Sequence, residues 1–175
     1  MKAAEIISKR RARVLLRRDY RSLACRLLLA ALFIWLLLSQ VLLLSQAHGN
    51  DMYPAIKDGD LLIGYRLHGN YVRDDVVIFT MNQRQMLGRI VAAESDVVTL
   101  DDSGKLIVNG TVITNQMLFS SPAREGIDYP YTVPEGHVFV MGDYRTQATD
   151  SRDFGPVPVS ALQAKIITIM RRQGL

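Results

Sequence analysis

Apolar and polar positions divide this chain near residue 47. Leu27 to Leu44, LLLAALFIWLLLSQVLLL, carries no charge over 18 residues, and Ser39 and Gln40 are its only polar members. At 1.5 Å rise per residue a helix of that length covers roughly 27 Å, close to the thickness of a bilayer's hydrocarbon core. The pattern predicts one membrane anchor over residues 27–46, with the basic side in the cytoplasm and everything after Ala47 outside. Ser45-Gln46-Ala47 also fits the small-x-small pattern of a cleavable leader, but the run is longer than a usual leader core and its basic preface is long, which favours an uncleaved anchor. Residues 1–26 alternate Lys and Arg with Ala, Ile, Val and Leu. They predict either an amphipathic segment on anionic lipid, each cation contributing on the order of 1 kcal/mol, or a basic tail that only sets topology.

Beyond Asp60 the pattern changes to short β-branched runs between turns: Leu61 to Tyr65, Asp75 to Thr80, Met86 to Ala92, Val97 to Leu100, Leu106 to Val108, Val138 to Met141 and Lys165 to Met170. Asp102-Ser103-Gly104-Lys105 and Val108-Asn109-Gly110-Thr111 are hairpin signals, the Asn-Gly pair suiting a type I′ turn. Ser120 to Tyr131, rich in Pro, Gly and charge, predicts a surface loop. The fold class expected for residues 47–175 is therefore mostly β, antiparallel sheets folded on one another with little helix.

Charge refines this division. Residues 1–26 hold nine basic and two acidic residues, a net of +7, whereas the rest holds twelve against fifteen, a net of −3. The overall +4 belongs to the leader, which argues against a nucleic-acid surface on the folded half. The single Cys25 excludes an intrachain disulfide and a Cys-based zinc site, and its place beside the apolar run allows acylation or an inert thiol. His48, His68 and His137 have no metal-ligand spacing, and no cofactor is expected.

Between anchor and strands lies Gly49 to Asp60, GNDMYPAIKDGD. A residue before proline is pushed out of the helical region, so the Met52-Tyr53 side is expected to be extended. Lys57-Asp58-Gly59-Asp60 predicts a tight turn. The loop would hold residue 51 at a set depth beside the membrane.

Four stretches in order resemble the sequence boxes of the type I signal peptidases, the membrane-anchored serine-lysine peptidases that remove leader peptides. They are Gly49-Asn50-Asp51-Met52-Tyr53-Pro54 with Asp58-Gly59-Asp60; Val72-Arg73-Asp74-Asp75-Val76-Val77-Ile78-Phe79; Met86-Leu87-Gly88-Arg89-Ile90-Val91 through Val98; and Val133 through Arg145, continuing with Asp150-Ser151-Arg152-Asp153-Phe154-Gly155-Pro156-Val157. The resemblance implies an antiparallel β domain with one N-terminal transmembrane helix. It also implies that a serine before the Met of the first box attacks the substrate and that a lysine before the Arg of the third takes its proton. Those positions are Asp51 and Gly88 here, and the supporting serine position is Ala148. The usual Asn before Arg145 is Tyr144.

A lysine is a base only where burial lowers its pKa, and an alcohol attacks only with such a base in reach. Losing either member of such a pair typically costs several powers of ten in rate. The expectation is a catalytically inactive relative whose cleft, with Gly49, Asp51, Met52, Gly88 and Arg89 as candidate lining, retains recognition. Asp143, Arg145, Asp150, Ser151 and Arg152 are expected to be structural. The same two alterations resemble the signal-peptidase-like proteins of streptococcal pilus gene clusters, which implies a chaperone or scaffold role with a pilin subunit or the pilus sortase as partner. Three alternatives follow from the residues. Asp51 and a second carboxylate, Asp143 or Asp150, would share a proton, or Ser45 or Ser95 would work with Lys57 or Lys105 as a displaced nucleophile and base, or Asp51 and Gly88 would be a solvated loop residue and a strand glycine. Met81, Met86, Leu87 and Met117 would form an apolar lip or plain core.

Overall fold

The computed structural model describes residues 2–67, 69–101, 103–113, 120–124 and 126–171, with side chains from Tyr20 onward. Two compact units divide at residue 40. The first is helix α1, Lys2–Val41. Its portion Tyr20–Val41 has a mean hydropathy of 2.1 and is long and apolar enough to cross a membrane.

Among the described residues the second unit contains eleven strands: β1 (Leu42–Gln46), β2 (Leu61–Tyr65), β3 (Val76–Met81), β4 (Arg84–Ala92), β5 (Val97–Leu100), β6 (Leu106–Val108), β7 (Thr111–Val112), β8 (Tyr131–Thr132), β9 (His137–Met141), β10 (Val157–Pro158) and β11 (Leu162–Met170), with one α-helical turn, α2 (Ser151–Phe154), and a 3-10 turn at Val159–Ala161. Seven form a sheet in the order β1-β2-β11-β3-β4-β9-β10, and four form a second in the order β7-β6-β5-β8. Every pairing among these strands is antiparallel, as the alternation of β-branched runs and turns predicts.

Three apolar clusters hold the sheets. Val91, Ala92, Val98, Leu106, Phe139 and Met141 centre the one that joins the two sheets. Val77, Phe79, Ile90, Val138 and Val140 lie on one face of β3, β4 and β9. Ala47, Met52, Ile56 and Leu62 form a third beneath the residue-51 loop. Fully burying each of the larger of these side chains, from Val to Phe, stabilises the fold by roughly 1.5–3 kcal/mol.

Several boundaries differ from the sequence expectation. The expected anchor runs to residue 46, but the helix stops at Val41, and Leu42–Gln46 pairs with β2 in register Leu42↔Tyr65 to Gln46↔Leu61. An all-apolar run has no period, so a buried strand and a helix end look alike until a partner strand is present. Met52 and Tyr53 lie within turns and belong to no strand. Tyr53 N–H donates to Asn50 O at 2.9 Å and Ile56 N–H to Met52 O at 2.9 Å, closing successive turns around a cis Tyr53–Pro54 bond. Within the expected surface loop 120–131 the described residues before β8 form no strand or helix, yet Ser121 is buried and Ile127 and Tyr129 pack against the first cluster. The Asn109-Gly110 turn has φ of 51° and 78°, the double positive φ that a type I′ hairpin requires. Met81 and Met86 pack on the second cluster and Leu87 on the third, each only partly buried. Asp102, Met117 and His68 lie outside the described residues.

The segment after β9 is fixed by one buried ion pair. Arg152, with no exposed surface, donates from Nε to Asp150 Oδ1 and from Nη2 to Asp150 Oδ2, both at 2.8 Å, and from Nη2 to Arg145 O at 2.6 Å. Asp150 also caps α2, accepting from Arg152 N–H, while Asp153 accepts from Asp150 N–H at 2.9 Å. Removing one partner leaves the other charge buried and unpaired. We expect Asp150→Ala to destabilise the full chain by ~3–5 kcal/mol, and Asp153→Ala, which loses only the reciprocal half of the cap, by about 1 kcal/mol. Thermal unfolding in detergent reads the difference, and equal losses would contradict it.

Candidate functional site

The loop that carries Asp51 is closed from both ends. Ala47 N–H donates to Asp60 O at 2.8 Å and Gly59 N–H to Ala47 O at 2.9 Å, with Gly59 at φ 85° in the predicted turn. Gly49 N–H donates to Asp58 Oδ1 at 2.8 Å, and a Cβ there would meet open space. Met52, 2% exposed, is core beneath the loop.

Asp51 itself is half-buried. Its backbone carbonyl accepts Tyr144 N–H at 2.9 Å. A Cβ on Gly142 would stand 2.6 Å from Asp51 O and 2.2 Å from Ala148 Cβ, so only glycine allows the loop to lie this close on the segment after β9. Gly142 N–H in turn donates to Asp150 Oδ2 at 3.1 Å. The position expected to hold a supporting serine, Ala148, is thus packed tightly against the strand end.

Gly88 lies on β4 opposite Val77 of β3, between Leu87 and Arg89. A Cβ there would meet Val140 Cγ1 at 2.3 Å, Phe79 Cε1 at 3.4 Å and Met141 O at 3.5 Å. The Met141–Gly142 peptide therefore separates the two altered positions, touching the one at Met141 O and the other at Gly142. The space in which a side chain at 88 would begin is filled by Val140.

Around the Asp51 side chain is a cavity of about 60 Å³ lined by Ser45, His48, Ile78, Gln85, Met86 and Leu87 as well. Ser45 Oγ donates to Gln85 Oε1 at 3.1 Å across it, and Gln85 Nε2 continues to Gln163 Oε1 at 2.7 Å. His48 Nδ1 is hydrogen-bonded to Gln46 O at 2.9 Å. Among the described residues neither Ser45 nor Ser95 is hydrogen-bonded to a lysine amine, so the displaced nucleophile and base are not assembled. Nor is a shared-proton carboxylate pair. Asp150 is held by Arg152, and Asp143 accepts both Arg89 Nε at 2.9 Å and Arg89 Nη2 at 2.7 Å. Arg89, which also reaches Asp74 O at 2.9 Å, is pinned by this pair at the floor of the site.

The remaining box residues are scaffold. Ser151 Oγ accepts Val140 N–H at 2.9 Å. Arg145, 2% exposed, reaches Ser121 Oγ at 3.2 Å and leaves its Nε without a partner, and burial pushes its guanidinium pKa down. No group of His, Cys, Asp and Glu among the described residues is arranged to hold a metal ion.

Burial and, secondarily, the Asp150 charge push the Asp51 carboxyl above the ordinary carboxylate value of 3.8, against a lowering hydrogen bond from Thr149 N–H. A carboxyl with a raised folded pKa binds its proton more tightly in the folded chain. It therefore subtracts stability as pH rises from its unfolded value through its folded one, the reverse of the usual Asp case. Asp51→Asn removes this dependence. We expect the melting temperature of the Asp51→Asn variant relative to wild type to increase as pH rises from about 4 to neutrality, and a difference independent of pH would contradict it.

Comparison with known proteins adds to this geometry. A family model described as "Signal peptidase, peptidase S26" matches residues 20–170. Over 125 residues the chain is 47% identical to the probable thylakoidal processing peptidase 2 of Arabidopsis thaliana, covering 62% of this chain and 32% of that one. It is 28% identical to the mitochondrial ATP-independent inner membrane protease subunit 1b of the same plant, over 71% of this chain and 67% of the relative. It is 30% identical to signal peptidase I of Bacillus licheniformis, over 60% and 63%. A crystal structure of a signal peptidase I from Enterococcus faecalis superposes on 57% of this chain and 98% of its own, with 25% identity and a TM-score of 0.46. The chain thus spans about a third of the thylakoidal relative and about two thirds of the other two sequence relatives. With the matched model running from within α1 to the end of β11, this chain belongs to the signal peptidase, peptidase S26, family.

Proposed function

We propose that this chain is a membrane-anchored member of the signal peptidase family that holds a peptide segment without cleaving it. The observation that carries this reading is at Gly88: the position of the family's general base has no side chain, and Val140 occupies the space where one would start. With Asp51 at the nucleophile position, the two family positions supply neither an attacking hydroxyl nor an amine to deprotonate one. A carboxylate is no substitute, since its oxygen is a poor nucleophile toward an amide and the nearby carboxyls of Asp143 and Asp150 are each held by an arginine. The helix Tyr20–Val41 would be the anchor, with the basic leader in the cytoplasm and the β unit outside, by the excess of Lys and Arg before it.

The narrower reading, an accessory of pilus assembly holding a pilin subunit or the pilus sortase, rests on the two altered positions alone. The relatives are named as processing peptidases and inner membrane proteases and give it no support. Those names favour a second reading, an active peptidase with a non-standard nucleophile. Against it stands the bond that occupies Ser45, which among the described residues has no lysine amine as a partner.

Incubating the full chain in detergent with a fluorogenic leader-peptide substrate separates the two. No turnover is expected, and turnover abolished by a single serine substitution would overturn the proposal. Asp51→Ser with Gly88→Lys is expected to remain inactive while Val140 blocks position 88. Adding Val140→Ala, with Ala148→Ser as support, is expected to yield weak hydrolysis, several powers of ten below that of an intact pair.

A further inference from the structure

Beside the Asp51 loop lies an open groove of about 610 Å³, lined by Tyr53, Pro54, Ala55 and Lys57 from that loop, by Arg89 of β4, and by Asp143 and Arg171, which follow β9 and β11. Its volume lies within the range that accommodates a bound chain segment, whereas the 60 Å³ cavity at Asp51 holds little more than a small side chain. Whatever segment enters the small cavity must lay the rest of its length elsewhere, and the groove begins two residues along the same loop.

The groove's charge is unbalanced. Arg89 and Asp143 neutralise one another through two direct hydrogen bonds. Lys57 and Arg171 remain, and among the described residues neither is in an ion pair. Arg171 Nη2 only approaches Ala55 O at 3.4 Å, which places its guanidinium over the loop. Two unneutralised cations thus share one concavity, although residues 27–175 carry a net of −3. This is a local feature and not the edge of a basic surface. Tyr53, 41% exposed, stands as an aromatic wall with its ring 6.0 Å from that of Tyr144.

The geometry points to this groove as the binding site for an acidic stretch of the peptide held at the Asp51 cleft, its carboxylates meeting Lys57 and Arg171 while aliphatic parts of the chain lie on Tyr53. The inference rests on the proposal that the site holds peptide, and supplies the chemical class of that peptide. A peptide fits better than a free anion because the two cations come from separate segments, the loop and the residue after β11, and line a space with an aromatic wall.

Fluorescence polarisation on the full chain in detergent tests it, with a labelled glutamate-rich peptide, the same peptide with glutamine at those positions, and inorganic phosphate as competitor. The glutamate peptide should bind more tightly by about tenfold, the size of two exposed ion pairs, and added salt should erase the preference. Lys57→Glu with Arg171→Glu should abolish or invert it. Equal binding of the two peptides, or a preference unmoved by the double substitution, would overturn the assignment. Phosphate competing as strongly as the peptide would overturn it in favour of a general anion site. Cleavage of a peptide whose acidic preference persists would remove the non-hydrolytic reading and leave the groove standing, whereas intact peptide bound without preference would do the opposite.

Discussion

The buried Asp150–Arg152 pair is the constraint on which the site depends. Asp150 uses its carboxylate on the guanidinium, on the first turn of α2 and on Gly142 N–H, while Arg152 also reaches back to Arg145 O. The segment between β9 and β10 is thereby folded into a rigid shelf. Gly142 presents a bare backbone at its edge, against which Asp51 O and Ala148 Cβ can lie. A buried ion pair is weak grounds for net stability, since desolvation offsets most of the attraction, but it specifies one arrangement strongly because each partner is costly without the other. Here that arrangement sets the height and direction of the residue-51 loop.

A shelf of this kind serves positioning, whether or not chemistry follows. In a working serine-lysine site it would hold an alcohol within reach of an amine. In this chain the same scaffold holds a carboxyl, a glycine and an alanine. Val140 lies where a Cβ on Gly88 would begin, Ala148 packs on Gly142, and Ser45 is tied to Gln85 across the cavity. On the proposed reading, returning the two side chains would not by itself return the space they need.

Much of this is legible in the sequence because its signals are local. Seven β-branched runs fall on β2 to β6, β9 and β11, and Asn109-Gly110 marks its hairpin by the positive φ values such a turn demands. The box spacing marks Asp51 and Gly88 as the two altered family positions. What escapes is set by partners distant in sequence. Leu42–Gln46 is a strand because β2 pairs with it, and nothing in LLLSQ distinguishes it from the helix before. The two-residue strands β7, β8 and β10 have no period to detect. Met52 falls on the core side of its loop because Ala47, Ile56 and Leu62 converge there. Lys57 and Arg171 come from distant parts of the chain, and only the fold shows that they share a groove.

The central claim is that recognition persists here without hydrolysis, and the fate of a bound peptide tests it most directly. Leader-type peptides captured by the full chain at saturating concentration, released and weighed by mass spectrometry, should be recovered at their starting mass. Fragments cut at one defined bond, and missing when a single serine of the chain is replaced, would contradict the claim.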